Sequence, residues 1–357
     1  MNLDRNKLSA LKRISLLGLV LFALCCKPNK NNNQQTTNST MKTFEWRPTE
    51  CAPEHYPIEI YQGSFIAEDT DQYFMIPNGG VVSNGWGNSG STWVTGPDFK
   101  PVPNKLKIIW ISYTENQFYF GDFDLPKDKI TELFEKGYIN EHGKHKTYNN
   151  LIVCLAPGGA VSVFIMGAGT SIEIGHYQAT KTVVEIQDFN PYGEISLDEY
   201  VQETKSEFSE ETKEILIKEG IPIGKWTEYR QSFLWKPTFK HKDDGVLQDF
   251  SNKFYNGESY KVRSDNPILK EYKEYPPSKS FYFHWKDKNN NRYGSKIKFD
   301  EEEIWNAFKT IYKNPETTQA ELVLEIDKYN RSLKISLESS NDTIVIEKAE
   351  VKMFTSD

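Results

Sequence analysis

Few side chains in this sequence stand at spacings that chemistry uses, and each must be judged by its neighbours. Gly85-Trp86-Gly87-Asn88-Ser89-Gly90 carries the G-x-G-x-x-G pattern of a loop that cradles a dinucleotide pyrophosphate. That role requires the glycines to open a helix, and Ser91-Thr92-Trp93-Val94-Thr95-Gly96-Pro97 cannot make one of useful length. The segment is expected to be a glycine-rich surface loop, and no cofactor is assigned. His142 and His145 stand three apart beside Glu141, but H-E-x-x-H and paired C-x-x-C are both absent, so no metal site is assigned. His176 follows a predicted strand and His284 lies inside one, where either could serve as a general base. No serine elbow or Cys–His pair stands near them. Both are expected to be solvent-facing strand residues, and no catalytic residue is assigned. Trp86, Glu115, Trp226, Tyr229 and Arg230 form the candidate binding set, since aromatic rings with one arginine are typical of recognition surfaces. The opposing reading has the tryptophans building core while Arg230 pairs a carboxylate at its edge.

The cysteines point to a compartment. Residues 1–25 read as a signal peptide: Arg5, Lys7, Lys12 and Arg13 supply a positive start. The stretch from Ile14 to Cys26, apolar except for Ser15, falls short of the ~20 residues that span a bilayer. The run ends Leu21-Phe22-Ala23-Leu24-Cys25-Cys26, which looks like a bacterial lipobox, with Cys26 the expected site of lipidation because the small Cys25 precedes it. Residues 26–44, which include an uninterrupted polar tract from Lys27 to Thr40, are expected to be a disordered tether. No acidic cluster follows Cys26, so the expected location is the outer membrane, lipid-anchored, on its periplasmic face, with surface exposure left open. Cys51 and Cys154 would then be the remaining cysteines, and they are a candidate disulfide in an oxidising compartment. The other reading makes Cys154, inside the apolar run Leu151–Leu155, a plain buried thiol.

Charge excludes one class of partner. Fifty acidic against 43 basic residues give a net charge of -7, and phosphate-backbone binding needs a basic face, so no nucleic acid is expected. The membrane is met through the lipid anchor, and one protein partner is the candidate soluble contact.

The elements that must position these residues repeat. Leu106, Ile108 and Trp110 match Phe281, Phe283 and Trp285, and Tyr119, Phe123, Ile130 and Phe134 match Tyr293, Ile297, Ile304 and Phe308. Val161, Val163 and Ile165 then match Leu333, Ile335 and Leu337. Period-two runs imply strands, and Asp300 with Glu303 forms a capping box before an apolar helical face. The reading is an α+β fold of two duplicated antiparallel-sheet units, each β-β-α-β-β-β with the helix on one face, over residues 45–195 and 221–357. A long helix over 196–220, opened by Ser196 and Glu199 and stopped by Gly220-Ile221-Pro222, is expected to join them.

At this level the sequence resembles a known family. Leu106-x-Ile108-x-Trp110-x-Ser112-x-x-Glu115, then Tyr119 and Leu125-Pro126, then Gly220-Ile221-Pro222-x-Gly224-x-Trp226-x-x-Tyr229-Arg230 and Trp235, are together similar to bacterial lipoproteins of domain-of-unknown-function family 2931. The family has no established catalytic residues to carry over. Some members are encoded beside phospholipase toxins of type six secretion systems, which implies for those an immunity role. The expected function is a non-catalytic protein-binding module, with immunity against a secreted lipase toxin as its sharpest form. A glycan or cell-wall binding module, motivated by 13% aromatic residues, and a hydrolase of unknown type are the alternatives.

Overall fold

Alternation of apolar and polar residues makes most of the chain strand. A computed structural model describes residues 42–356; the segment read as a signal peptide, Cys26 and the polar tract after it lie outside the described residues. The first half comprises strands β1 (Arg47–Cys51), β2 (Ile58–Ala67), β3 (Gln72–Met75), β4 (Lys105–Ser112) and β5 (Gln117–Asp124), helix α1 (Lys127–Lys136), then β6 (Asn150–Ala156), β7 (Ala160–Gly167), β8 (Thr170–Gln178) and β9 (Thr180–Thr182). Helices α2 (Leu197–Ser206), α3 (Glu210–Glu219) and α4 (Lys225–Glu228) follow. The second half comprises β10 (Phe233–His241), β11 (Val246–Phe254), β12 (Ser259–Arg263), β13 (Lys273–Tyr275), β14 (Ser278–Lys286) and β15 (Arg292–Lys298), helix α5 (Glu301–Ile311), then β16 (Ala320–Ile326), β17 (Leu333–Glu338), β18 (Thr343–Ile346) and β19 (Glu350–Thr355).

Three main sheets result, and the fold is α+β. One sheet runs β9-β5-β4-β2-β3, with Val81–Val82 beside β2; another runs β13-β10-β16-β17-β18. The third runs β1-β6-β7-β8-β12-β11-β14-β15-β19 and passes through both halves. Its middle is thin: β8 and β12 meet through the single register pair Ser171 and Ser259.

Each half departs from the expected antiparallel β-β-α-β-β-β unit. Strands β1–β3 and β10–β13 precede the hairpins, and β1 pairs with β6, and β10 with β16, in parallel. The hairpin and the three-strand meander of each half lie in different sheets, where one sheet per unit was expected. The reason lies in β6 and β7, which are apolar on both faces and need cover on both. Leu151, Val153, Leu155, Val161 and Val163 face a core shared with Phe65, Leu106, Trp110 and the helix residues Ile130 and Phe134. Ile152, Cys154 and Phe164 face the other way, into a cluster with Cys51. The second core gathers Trp235, Phe250, Phe283, Trp285, Phe308 and Leu324.

Two boundaries differ from the sequence reading. Thr43 and Phe44, assigned to the tether, belong to a strand, Thr43–Glu45, paired with Phe99–Pro101. The single helix over 196–220 is two helices. Ser196 and Glu199 do form the capping box of α2, but Ser209 caps a new helix by accepting from the Thr212 amide. Only Val201 of α2 and Thr212 of α3 are buried, so no continuous apolar face exists to hold one long rod across both halves. Instead α2 packs on Ile111, Tyr113 and Phe118, while Leu216 of α3 reaches Tyr56 and Trp226. Among the described residues no helix is long and apolar enough to cross a membrane.

Candidate functional site

The seam between the halves collects most of the candidate residues. The glycine-rich loop is wedged into it and is no free surface loop. Gly85 and Gly87 are buried at positive φ, and a Cβ at Gly87 would overlap the backbone of Gly257 on the β11–β12 turn. A Cβ at Gly90 would crowd Glu50, whose carboxylate accepts from the Ser91 amide at 2.6 Å. The glycines therefore serve close backbone approach. The same loop delivers Trp86, whose Nε1 donates to the Asn256 carbonyl at 2.9 Å and whose ring meets Phe164 edge-on and Trp226 at 6.0 Å.

Trp226 is buried on α4, a helix entered through Gly224 at positive φ. Its ring meets Tyr56 edge-on at 5.5 Å and packs on Ala156 and Ala160 of the first half. Tyr229, one turn on, stacks on Trp305 and donates to Glu301 Oε1 at 2.8 Å, the atom that Lys225 also reaches at 2.9 Å. Burial and the Glu301 charge push the Tyr229 phenol far above its usual value. Arg230 Nε donates to Glu173 Oε2 at 2.8 Å, so it pairs a nearly buried carboxylate across the seam.

Glu173 anchors a network that sequence reasoning missed. Its Oε1 accepts from Ser162 Oγ at 2.7 Å, and that hydroxyl lies 2.8 Å from His176 Nδ1. His176 Nε2 lies 2.9 Å from Thr227 Oγ1 on α4. A serine hydroxyl has one hydrogen, and here it goes to Glu173. His176 must then donate from Nδ1 to Ser162 and accept from Thr227 at Nε2. That is the reverse of a general base abstracting a serine proton. Ser162 is also fully buried. Glu258, on the far side, accepts from the Glu173 amide and from Asn256 Nδ2, both at 3.0 Å, and burial raises its pKa. The available signal was a polar residue inside an apolar strand: Ser162 between Val161 and Val163, and Glu173 between Ile172 and Ile174.

His176 and His284, expected to face solvent, do not. His284 is buried, with Nδ1 on Asp249 at 2.9 Å and Nε2 on the Tyr282 hydroxyl at 3.0 Å. His176 keeps 11% of its side chain exposed, because α4 lies over it. Glu115 bonds elsewhere: its oxygens accept from the Tyr119 hydroxyl at 2.8 Å and the Gly158 amide at 3.0 Å. His145 bonds the Lys136 carbonyl, and His142 stands beside Glu141. Among the described residues no group of three or more His, Cys, Asp or Glu could hold a metal ion. Cys51 and Cys154 are opposite one another on the parallel strands β1 and β6 and form a disulfide.

Residues 27–224 match the model of a family described as proteins of unknown function, DUF2931. The chain belongs to that family. No curated protein and no solved structure matches it. The DUF2931 match ends at Gly224, so Trp226, Tyr229, Arg230 and Trp235, read above as part of the family likeness, lie beyond it. What the DUF2931 region contributes to the seam is Trp86, Ser162, Glu173 and His176; the residues from Trp226 onward close over them.

That closure has a pH signature. Burial, reinforced by the Arg230 charge, lowers the His176 pKa to about 4, against 6.5 for a free histidine. Between those values the unfolded chain binds the additional proton, so stability rises with pH in that window. The stabilisation from neutral His176 is complete above pH ~6.5 and is lost as pH falls toward 4, to an extent on the order of 3 kcal/mol. His176→Gln is expected to flatten this acid limb in urea unfolding measured at stepped pH. An unchanged slope in the variant would remove His176 as its source.

Proposed function

We propose that the protein is a lipid-anchored envelope protein that binds another protein and performs no chemistry of its own. The observation that carries this reading is an exposed apolar strip along residues 73–99. Tyr73 and Met75, 61% and 50% exposed, flank the buried Phe74 on the sheet-edge strand β3. Val81, Val94 and Phe99 are exposed on the chain that follows, which folds back so that Gly79 lies against Trp93 and Gly96 against Phe74. A free strand edge bordered by exposed large apolar residues is what protein recognition uses and what an unpartnered surface avoids. By contrast, His176, His284, Glu115 and Arg230 are all engaged in bonds that hold the fold together. The family resemblance makes a secreted lipase toxin the fitting partner, with Cys26 as the lipid anchor at the periplasmic face of the outer membrane.

The test is size-exclusion chromatography with light scattering on the protein mixed with purified products of its neighbouring genes. A 1:1 complex is expected with one of them, abolished by Val94→Ser/Phe99→Ser while the melting temperature stays unchanged. A complex that survives that double substitution would overturn the surface. Retention on peptidoglycan in place of any protein would transfer the reading to a glycan-binding module.

We also infer that the two halves descend from one duplicated unit. The support is strand order: β9-β5-β4-β2-β3 corresponds place by place to β19-β15-β14-β11-β12, and β1-β6-β7-β8 to β10-β16-β17-β18. The parallel pair β1–β6 has its counterpart in β10–β16, and α1 in α5.

A further inference from the structure

A recess of about 780 Å3 opens on the nine-stranded sheet, on the face turned away from the second core. Its floor is set by register. Tyr282, Lys296 and Lys352 lie side by side across β14, β15 and β19, and the neighbouring row carries Lys253, Ser280, Lys298 and Glu350 across β11, β14, β15 and β19. Lys279 comes in through the irregularity where β11 and β14 shift register. Trp86, from the glycine-rich loop, forms part of the opposite wall.

Five ammonium groups thus converge in an acidic protein. Several lysines elsewhere pair with carboxylates, as Lys225 does with Glu301, Lys236 with Glu321 and Lys261 with Glu141. None of the five in the recess has an ion-pair partner among the described residues. Lys253 reaches only the Asn88 side-chain oxygen, at 3.4 Å, and Lys296 stands over the Tyr282 ring. Lys296 and Lys352 are direct cross-strand neighbours, an arrangement of like charges that costs stability. Lost solvation lowers the Lys279 pKa; Glu54 and Glu301 oppose that shift while Lys253 and Lys298 add to it. Two carboxylates also line the recess. Glu350 sits on the edge strand, and Glu258 is occupied by Asn256 and the Glu173 amide. The cationic excess remains, and an anion would relieve it.

We propose that this recess binds a phosphate-bearing ligand, its phosphate groups held by Lys253, Lys279, Lys296, Lys298 and Lys352 and its uncharged part laid against Trp86 and Tyr282. A cluster of five lysines suits a multiply charged anion, and phosphate carries the most charge in the least volume. Ammonium groups act as point charges that can surround a tetrahedral phosphate from several strands at once. Tyr282 is fixed as a wall because its hydroxyl is held by His284, itself held by Asp249. None of the exposed residues Tyr73, Met75, Val81, Val94 and Phe99 lines the recess, so the proposal stands whether or not they bind a protein.

The test is titration calorimetry on the full chain in mild detergent, with pyrophosphate representing free phosphorylated solutes and glycerophosphoglycerol representing a lipid headgroup. Binding of at least one probe is expected, weakened by added salt and by about tenfold or more in Lys296→Gln/Lys352→Gln. Lys288→Gln, in an exposed loop where Lys288 pairs Asp243, should leave affinity unchanged. Tighter binding of pyrophosphate assigns a soluble ligand, and tighter binding of glycerophosphoglycerol assigns the membrane headgroup. Without probe, the double variant should melt close to the parent temperature, because relief of the Lys296–Lys352 repulsion offsets the lost contact of Lys296 with the Tyr282 ring; this reports that it folds. Failure of both probes to bind, or equal binding by the double variant, would overturn the proposal.

Discussion

Replacing both Cys51 and Cys154 by alanine is expected to lower the free energy of unfolding by about 4.7 kcal/mol, the entropic value for a loop of this size. The bond closes a separation of 103 residues and ties β1 to its parallel neighbour β6 inside a fully buried cluster. It does more than shorten the unfolded chain. Cys51 Sγ accepts from the Gly87 amide at 3.1 Å, and so holds the loop whose neighbour Trp86 reaches across the seam. The loss should therefore exceed that of a disulfide in an isolated strand pair. Urea unfolding followed by tryptophan fluorescence measures it. The double alanine variant is preferable to a reductant, because both sulfurs are buried and reduction would wait on opening. A loss below about 1 kcal/mol would mean that the buried contacts alone fix this loop.

What could be read in the sequence follows a physical division. The hairpin, helix and three-strand run of each half were legible because period-two and helical alternation are local: Leu106, Ile108 and Trp110 all face one core, and Ile304, Ala307, Phe308 and Ile311 make one helical face. The strands before them, β1–β3 and β10–β13, were not read. The partition of strands between sheets was not legible, since it depends on which strands need cover on both faces, and Ile152 and Leu151 look alike in a string of letters. The break between α2 and α3 had a signal, in that Ser209 is a good N-cap with acidic residues after it, but the apolar residues Val201, Phe208 and Ile215 suggested one stripe. The candidate binding residues were found as residues and misplaced as chemistry. Trp86, Trp226, Tyr229 and Arg230 do gather, yet inward, against Phe164, Tyr56, Trp305 and Glu173. The lysine recess left its mark only as Lys296-Ile297-Lys298, because the other members come from strands far apart in sequence.

Trp226→Ala should divide the unfolding of this protein into two steps. The nine-stranded sheet crosses from one half to the other through a single β8–β12 register pair, too little backbone pairing to couple two cores. Coupling must come from side chains, and Trp226 is the largest buried one on the connecting segment, packed on Tyr56, Ala156 and Ala160 and beside Trp86. Truncating a buried tryptophan costs about 3–5 kcal/mol in lost burial and cavity formation. Here that cost falls almost wholly on the interface, and the second core of Trp235, Phe283 and Trp285 does not include it. Scanning calorimetry should show one transition for the parent and two for the variant, with Trp226→Phe restoring most of the single peak. Trp93→Ala, at a ring 38% exposed in the apolar strip, should shift the melting temperature little. The contrast matters for the functional reading. A binding defect in Trp226→Ala would report an uncoupled fold, whereas the same defect in Val94→Ser/Phe99→Ser, with melting unchanged, would report a lost surface. Retention of a single transition in Trp226→Ala would place the coupling on the Glu173–Arg230 ion pair and the Trp86 hydrogen bond to Asn256.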